Sequence, residues 1–212
     1  MNEPRPPQCQ RHLDPRSLGH SPTARLHLSS LAFRCATRAD IPALNALIRE
    51  SAAALSEGFY TPEESAAAIQ YVFGVDTTLV DDQTYFIASL DGTDVACGGW
   101  SRRGALYGGD QRRMEEAPLL DPRVDAARIR AFFVSPRFAR RGIGRQMLEY
   151  CTAAAVAEGF SSLELMATLP GVPLYEQCGF RALEPVVDTM PNGVGVRFVR
   201  MRRELPASGP ST

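Results

Sequence analysis

Apolar and polar residues follow two different spacings along most of the chain. The run LAFRCAT, which begins at Leu31, alternates as a strand does, and DIPALNALIRESAAAL, which follows, has apolar residues at helical spacing. Asp40 stands at the position of a helix N-cap. A second helix is predicted to begin after Thr61, because Pro62 and Glu64 follow it in a cap-like arrangement.

The next part of the chain has the spacing of a hairpin and then of a strand–helix–strand unit. TYFIASLDGTDVACGGW predicts two strands around a turn at Asp91 and Gly92. A strand at 128–134 precedes a helix at about 143–158, which Gly159 ends, and the run SSLELMA is the next strand.

The last part predicts a short helix in VPLYEQC, ended by Gly179, and two strands that flank the turn Pro191-Asn192-Gly193. The full predicted order is β-α-α-β-β-β-α-β-α-β-β. We therefore expect an α/β (α+β) fold, a single domain with a mixed central sheet flanked by helices.

Three segments stand outside this pattern. Residues 1–30 are rich in Pro, Arg, Ser and His without a clear period, which is typical of a disordered tail; their arginines leave a transit peptide as an alternative. Residues 206–212 are predicted to be a C-terminal tail, so that 31–205 form the domain. The polar stretch 101–127 is expected to be a functional loop or a partly disordered one.

The composition excludes several chemistries. The chain has 212 residues, enough for one sizeable core, and a formal net charge of −1, which does not favour binding to nucleic acid or to a membrane. All 23 basic residues are arginine. Without lysine there is no Schiff-base chemistry and no P-loop.

The positions of the histidines and cysteines exclude further kinds of catalytic and metal site. The only histidines are His12, His20 and His27, in the predicted tail, so a catalytic triad or a histidine-bound zinc in the domain is excluded. The five cysteines include no C-x-x-C pair, which predicts reduced thiols in a cytoplasmic protein and no metal site. No apolar run reaches the length of a membrane span.

The most informative stretch is FFVSPRFARRGIGRQML at 132–148. A turn between a strand and a helix presents unpaired N–H groups at the positive end of the helix dipole, and Gly142 and Gly144 let the backbone approach a ligand. This predicts a phosphate-binding turn, although glycine used only for packing is the alternative. The dinucleotide motif G-x-G-x-x-G is absent, because Met147 stands at the position of its third glycine. The surrounding arginines are Arg137, Arg140, Arg141 and Arg145.

Two stretches resemble the signatures of the GCN5-related N-acetyltransferase (GNAT) superfamily. VSPRFARRGIG at 134–144 resembles its acetyl-CoA-binding motif R/Q-x-x-G-x-G/A, and LELMATLPGVPLYEQCGF at 163–180 resembles N-x-x-A-x-x-L/F-Y-E-x-x-G-F. The predicted order of elements agrees as well. Three positions depart from the motifs: Ala139 in the first, and Thr168 and Gly171 in the second.

The resemblance implies transfer of an acetyl group from acetyl-CoA directly to a primary amine of a small molecule, peptide or protein, in a ternary complex and without a metal. It implies a splayed strand pair at the cofactor site and gives Tyr175 the role of general acid for the coenzyme A thiolate. The alternative is an acyl-CoA-binding sensor or regulatory module without catalysis. The residues expected to bind acetyl-CoA are Phe133, Val134, Arg140, Arg141, Gly142, Ile143, Gly144, Arg145 and Thr168.

The sequence does not identify the acceptor amine or the general base. The acceptor is a protein N-terminus or lysine, an aminoglycoside-like drug, a polyamine or an amino acid, and the chain gives no sign for or against a homodimer. Phe59, Tyr60 and Trp100 are candidates for an acceptor wall, with core packing as the alternative. A water chain is one candidate for the general base; the carboxylate candidates are Glu57, Asp110, Glu115, Glu116, Asp121 and Asp125.

Overall fold

The computed structural model describes residues 31–110 and 117–206. The strands are β1 (Leu31–Cys35), β2 (Tyr85–Leu90), β3 (Thr93–Ser101), β4 (Ala127–Val134), β5 (Ser162–Thr168), β6 (Arg181–Thr189) and β7 (Gly195–Glu204). The α-helices are α1 (Ile41–Leu55), α2 (Pro62–Tyr71), α3 (Thr77–Asp81), α4 (Ile143–Ala157) and α5 (Val172–Gln177).

The seven strands form one open sheet in the order β1-β2-β3-β4-β5-β7-β6. All neighbours are antiparallel except β4 and β5, which are parallel and joined through α4. A strand–helix–strand connection is the usual way to place two parallel strands side by side. The prediction of a single domain with a mixed sheet flanked by helices is therefore confirmed.

Helices cover both faces of the sheet. On one face, α4 and α5 bury a core that includes the fully enclosed side chains of Trp100, Leu148 and Leu163. On the other face, α1 and α3 pack over β2 and β3 around Ile48 and Leu79. The apolar residues at helical spacing in the sequence are thus the ones that face the sheet.

The local signals at the helix ends are partly confirmed. Thr61 caps α2: its hydroxyl accepts from the N–H of Glu64, whose carboxylate accepts from the N–H of Thr61. Asp40 is not a side-chain cap of α1, which corrects the prediction. Its carboxylate accepts instead from the N–H of Thr37, 2.8 Å away, and from Arg34. Helix α3 was not predicted; it has only five residues, too few for a periodic pattern.

The turns fall where the sequence placed them. Asp91 and Gly92 both have positive φ, 49° and 79°, which is the backbone of a tight hairpin turn between β2 and β3. Gly159 and Gly179 follow the ends of α4 and α5, and the turn at 191–193 joins β6 to β7.

The segments outside the regular pattern have different outcomes. Residues 1–30, predicted to be a tail, lie outside the described residues, as do 111–116 within the polar stretch and 207–212. The described ends of that stretch pair with each other, because Arg103 bridges Leu119. The domain boundaries at 31 and 205 stay predictions.

The cysteines differ from the prediction at one position. Cys97, Cys151 and Cys178 carry unpaired thiols, but Cys35 is disulfide-bonded, so the expectation that all the thiols are reduced is wrong for Cys35. Within the described ranges, no helix has both the length and the apolar character that a membrane span needs.

Candidate active site

Strands β4 and β5 separate soon after they start. They are paired only at Ala127 with Leu163 and at Arg128 with Glu164. Beyond these positions β4 continues to Val134 while β5 stays paired with β7 on its other side. A cleft therefore opens in the middle of the sheet, between two strands whose facing backbone groups have lost their partners.

A bulge in β4 helps to produce this separation. Ala131 has a φ of 53°, which is unusual for a residue with a side chain, and the pairing with β3 shifts register here. The phenol of Tyr85, on β2, donates to the carbonyl of Ala131 at 3.0 Å and holds the bulge across the intervening β3. Gly98 of β3 leaves room for the ring of Phe132 beside the bulge, because that ring lies 2.6 Å from where a Cβ of Gly98 would be.

The register of β4 shows which backbone groups face the cleft. Ser135 donates its N–H to the carbonyl of Val95 at 2.8 Å, and Phe133 pairs with Cys97 two positions along the same ladder. Antiparallel strands alternate between bonded and non-bonded pairs, so Phe133 also directs its N–H toward β3. Val134 lies between these two pairs and directs its N–H into the gap between β4 and β5.

The arginine-glycine turn comes shortly after this strand. Arg140 and Gly142 both have positive φ, 63° and 81°, and α4 begins at Ile143. The first helical hydrogen bond runs from the N–H of Gln146 to the carbonyl of Gly142. The N–H groups of residues 142–145 precede it and have no hydrogen-bond partner among the described residues. They form a ready binding surface for an anion.

The two glycines of the turn have different roles. A Cβ on Gly142 would meet nothing within 4 Å, so its positive φ is what requires glycine. A Cβ on Gly144 would lie 3.1 Å from Leu174 and 3.6 Å from Val134. Glycine used for packing, the alternative considered above, therefore applies to Gly144. Because it has no side chain, α4 can approach α5 and β4.

The arginines of the turn are exposed to solvent. Arg145 pairs with Glu149 at 3.0 Å, and the guanidinium of Arg141 lies over the ring of Phe138, 5.4 Å from its centre. Arg140 and Arg141 have no ion pair within the part of the chain that the structure describes. Both are therefore available to a phosphate.

Tyr175 lines the cleft from α5, together with Thr168 at the end of β5 and Phe133 of β4. Its ring packs edge-on against Phe180, and the residue is only 8% exposed. Burial raises the pKa of the Tyr175 phenol above its ordinary value of 10, and the thiol of Cys151 adds to the rise. The phenol therefore keeps its proton at neutral and mildly alkaline pH.

The cleft also has an aromatic lining and holds one buried cation. Phe73 contacts Phe133 edge-on at 5.5 Å, and Tyr107 lies 5.6 Å from Phe198. Arg130 also lines the cleft. These residues were not predicted from the sequence, although an arginine within the apolar strand run RIRAFFV is itself a signal, because a charge at a buried strand position needs a partner.

None of the predicted base candidates in the described residues lines this cleft. Asp110 accepts from the hydroxyl of Thr77 at 2.9 Å, and Asp121 pairs with Arg123 at 2.7 Å. Glu57 and Asp125 also lie outside the lining, and Glu115 and Glu116 fall outside the described residues.

Two carboxylates that were not predicted stand directly behind residues that line the cleft. Asp76 contacts Arg130 at 2.9 Å. Asp188 accepts from the phenol of Tyr107 at 2.6 Å.

The predicted acceptor wall belongs mostly to the core. Trp100 is fully buried and packs against Phe160, away from the cleft. Tyr60 is buried and bridges the chain: it donates to the carbonyl of Arg197 at 2.7 Å and accepts from the N–H of Leu169. Core packing, the alternative considered for these aromatics, is what the structure shows for both. Phe59 is 44% exposed.

Side chains that could bind a metal ion do not cluster in the described part of the chain. Across residues 31–110 and 117–206, no group of three or more His, Cys, Asp or Glu side chains is placed to hold a metal ion.

The fold is shared with many solved structures. The GCN5-related N-acetyltransferase from Rhodopseudomonas palustris is 18% identical, with 88% of this chain and all of that chain covered and a TM-score of 0.62. The ribosomal-protein-alanine N-acetyltransferase from Brucella melitensis is 17% identical over 82% of this chain and all of that one, with a TM-score of 0.54. A PaiA N-acetyltransferase from Thermoplasma acidophilum, solved with coenzyme A, is 14% identical over 82% and 99%, with a TM-score of 0.54.

These likenesses establish the fold, and the sequence establishes the family. No curated protein matches the sequence significantly. The model of the acetyltransferase (GNAT) family matches residues 45–180, which is more than half of the chain and includes β4, the turn, β5 and α5. The chain therefore belongs to the acetyltransferase (GNAT) family.

Proposed function

We propose that this protein is an N-acetyltransferase that passes an acetyl group from acetyl-CoA directly to a primary amine, with both substrates bound at once. One observation carries the proposal: the opening of β4 from β5 leaves the Val134 N–H unpaired, and the unpartnered N–H groups of 142–145 follow it in the chain at the start of α4. A strand edge followed by an anion site suits a ligand with an amide arm and a pyrophosphate.

The residues present fit acetyl-CoA. The amide arm of the ligand would pair with the exposed edge of β4, next to Phe133 and Val134, and Thr168 would face it from β5. The pyrophosphate would accept hydrogen bonds from the N–H groups of 142–145, and Arg140 and Arg141 would add charge. No side chain in these positions blocks the turn, since the space around Gly142 is open.

When bound, acetyl-CoA supplies a thioester-activated acetyl group. In the proposed reaction the Val134 N–H would polarise its carbonyl, while the neutral amine forms the new N–C bond and the C–S bond breaks. Tyr175 would then give its proton to the leaving thiolate, the amine nitrogen would lose one proton to water, and Tyr175 would be reprotonated from solvent. No covalent enzyme intermediate is needed, so the absence of lysine is consistent with this chemistry.

Thermal unfolding with acetyl-CoA, coenzyme A, NAD and ATP tests the binding half of the proposal. A ligand at a hundred times its Kd adds about 2.7 kcal/mol of stability, and each kcal/mol raises the Tm by about 2–4 °C for a domain of this size. We expect a rise of several degrees with acetyl-CoA and coenzyme A only. An equal rise with ATP would mean that the turn binds any polyphosphate.

A matched pair of variants locates the site. Replacing Arg140 and Arg141 with alanine should reduce the coenzyme A shift, most clearly at low salt, because exposed charges are screened by salt. Arg123→Ala, which removes an exposed arginine paired with Asp121 far from the turn, should leave the shift unchanged.

Release of thiol when an amine is added tests the catalytic half. If the protein binds acetyl-CoA but no amine causes release of the coenzyme A thiol, the acyl-CoA sensor is favoured. The cytoplasmic location stays a prediction.

A further inference from the structure

Arg130 is the only charged side chain among the described residues that line the cleft. It belongs to β4, four residues before Val134, and its side chain is only 6% exposed. The described lining contains no carboxylate. Among the described lining residues, an acceptor therefore meets one guanidinium, with Asp76 behind it, and no carboxylate.

The hydrogen-bonding capacity of this guanidinium is incompletely used. Its Nη2 atom donates to the carbonyl of Gly108 and lies 2.9 Å from Oδ2 of Asp76. The other carboxylate oxygen of Asp76 accepts from the N–H of Thr78. The Nε atom of Arg130 is enclosed and has no partner within the described part of the chain. Asp76 thus contacts a single nitrogen of a group that has five N–H donors.

Asp76 balances the formal charge of Arg130, but the cost of burying the guanidinium is only partly offset. Burial lowers the pKa of Arg130 from its ordinary value, and the attraction of Asp76 offsets only part of that effect. Arginine keeps its proton even so. An acceptor carboxylate beside the guanidinium would offset more of this burial cost.

The rest of the cleft suits an apolar body. Phe73 and Phe133 form one aromatic contact beside Arg130, and Tyr107 and Phe198 form another. Met166 lies in the same lining. Such walls bury hydrocarbon, while a single arginine fixes the orientation of a polar end.

From these observations we propose that the acceptor amine carries a carboxylate on an apolar body, and that Arg130 binds this carboxylate. The acceptor class is then that of apolar amino acids and short peptides with a free C-terminus. The inference rests on the proposed acetyl transfer, which it narrows. Polyamines and aminoglycosides are disfavoured, because they would bring several positive charges to a cleft whose described lining offers no carboxylate.

Matched acceptors test the proposal on the unmodified protein. Thiol release from acetyl-CoA would be measured with phenylalanine, leucine, methionine and glycyl-phenylalanine, each beside its C-terminal amide, and with spermidine. A charged partner for a buried hydrogen-bonding group is worth about tenfold or more in affinity, so kcat/KM should favour at least one carboxylate by that factor. Equal or faster reaction of every amide, or preference for spermidine, would overturn the proposal.

The amide substrates have the more reactive amines, so a preference for the acids would be obtained against this chemical advantage. The amine of an amino-acid amide has a lower pKa than that of the free amino acid, so more of it is neutral and reactive at a given pH. A preference for the carboxylate must therefore come from binding. Glycyl-phenylalanine, whose amine is further from its carboxylate, reports the spacing that the cleft requires.

Two variants should move the preference in opposite directions. Arg130→Gln removes the charge and should abolish the preference for the carboxylate. Asp76→Asn removes the competing anion and should increase it. A role of Arg130 in folding alone would change the yield or the Tm of both variants without moving the ratio of acid to amide.

A binding measurement separates this proposal from the proposed function. The Tm would be measured in the presence of coenzyme A with N-acetylphenylalanine and with its amide. A rise in Tm with the acid alone supports the carboxylate site. If, in addition, no amine causes release of thiol from acetyl-CoA, only the proposed acetyl transfer fails. Equal effects of acid and amide, beside normal coenzyme A binding, overturn the carboxylate site.

Discussion

The phenol of Tyr85 donates a hydrogen bond to the carbonyl of Ala131, 3.0 Å away, and so ties β2 to the bulge of β4 across the intervening strand. Tyr85 is completely buried. Because Ala131 has positive φ, its backbone would not hold this position without support. The separation of β4 from β5 thus depends on a side chain that does not line the cleft.

Replacement of this tyrosine should weaken both the fold and the cofactor site. Tyr85→Phe leaves a buried carbonyl without its donor, which costs about 1–3 kcal/mol, or about 2–4 °C of Tm for each kcal/mol. We also expect weaker binding of acetyl-CoA, since the bulge positions the strand edge that pairs with it. Thermal unfolding and a titration with acetyl-CoA measure the two effects.

Tyr150→Phe is the matched control. Tyr150 is half-buried, its ring stacks on Phe33 at 4.6 Å, and its phenol has no hydrogen bond among the described residues. Its loss should leave the Tm and the affinity for acetyl-CoA near those of the unmodified protein. Identical behaviour of the two variants would show that the bond to Ala131 does not support the bulge.

Tyr175→Phe should lower kcat and leave the affinity for acetyl-CoA unchanged. A positioned general acid contributes about 10²–10⁴-fold, so we expect kcat to fall by about a hundredfold or more. Steady-state kinetics and a coenzyme A titration measure the two quantities. Equal loss of both, or of neither, would remove Tyr175 from the proposed role.

The pH dependence of the rate gives a second test of Tyr175. Burial raises the pKa of its phenol above 10, so the acid form persists through the alkaline range. The acceptor amine must be neutral, so kcat/KM should rise with pH and then level off, without a decline below about pH 10. A decline near pH 8–9 that disappears in Tyr175→Phe would contradict the raised pKa.

The close approach of Gly144 to Leu174 predicts a pair of compensating substitutions. Gly144→Val would press against the Leu174 side chain and overpack the junction of α4 with α5, at a cost of about 1–3 kcal/mol. Adding Leu174→Ala should restore part of the Tm and of the coenzyme A affinity. A double-mutant cycle measured by thermal unfolding gives the coupling.

Gly142→Ala separates strain from packing in the same turn. Its cost comes from positive φ, about 1 kcal/mol, and no side chain stands within 4 Å to be trimmed. Leu174→Ala should therefore not rescue it. Rescue of both glycine variants would mean that the two positions share one cause.

Local signals in the sequence were enough to predict most of the fold. The cap formed by Thr61 and Glu64, and the turn at Asp91 and Gly92, involve residues next to each other in the chain, so composition and spacing reveal them. Helix α3 was missed, because its five residues offer no period and only Asp76 marks its start.

The acceptor side could not be predicted in the same way. Arg130 meets Asp76 only after β4 and the segment before α3 have come together, and that depends on the tertiary fold. Trp100 was a candidate for the cleft wall, yet its position on β3 turns it toward α4 and the core. The alternation of β3 does not reveal which face of the sheet a residue will occupy.

Glu164 marks the last paired position of β4 and β5, and its loss should be costly in a pH-dependent way. It is 4% exposed and contacts Arg128 at 2.9 Å and Arg200 at 2.5 Å. Glu164→Gln leaves Arg128 without its counter-charge and Arg200 with only the exposed Glu184, which should cost about 3–5 kcal/mol, or about 6–20 °C of Tm. Glu184→Gln is the control: this exposed carboxylate also contacts Arg200, and its loss should cost less than about 1 kcal/mol.

The sign of the pH dependence follows from the pKa of Glu164. Burial acts to raise that pKa, but the ion pairs with Arg200 and Arg128 outweigh it and hold the pKa below the ordinary 4.5. The stabilisation is therefore present above about pH 4.5 and is lost as the pH falls further. The Tm of the unmodified protein should drop between pH 5 and 3 more steeply than that of Glu164→Gln. Parallel curves for the two proteins would show that the pKa of Glu164 is not lowered by folding, which would contradict the stabilising ion pairs.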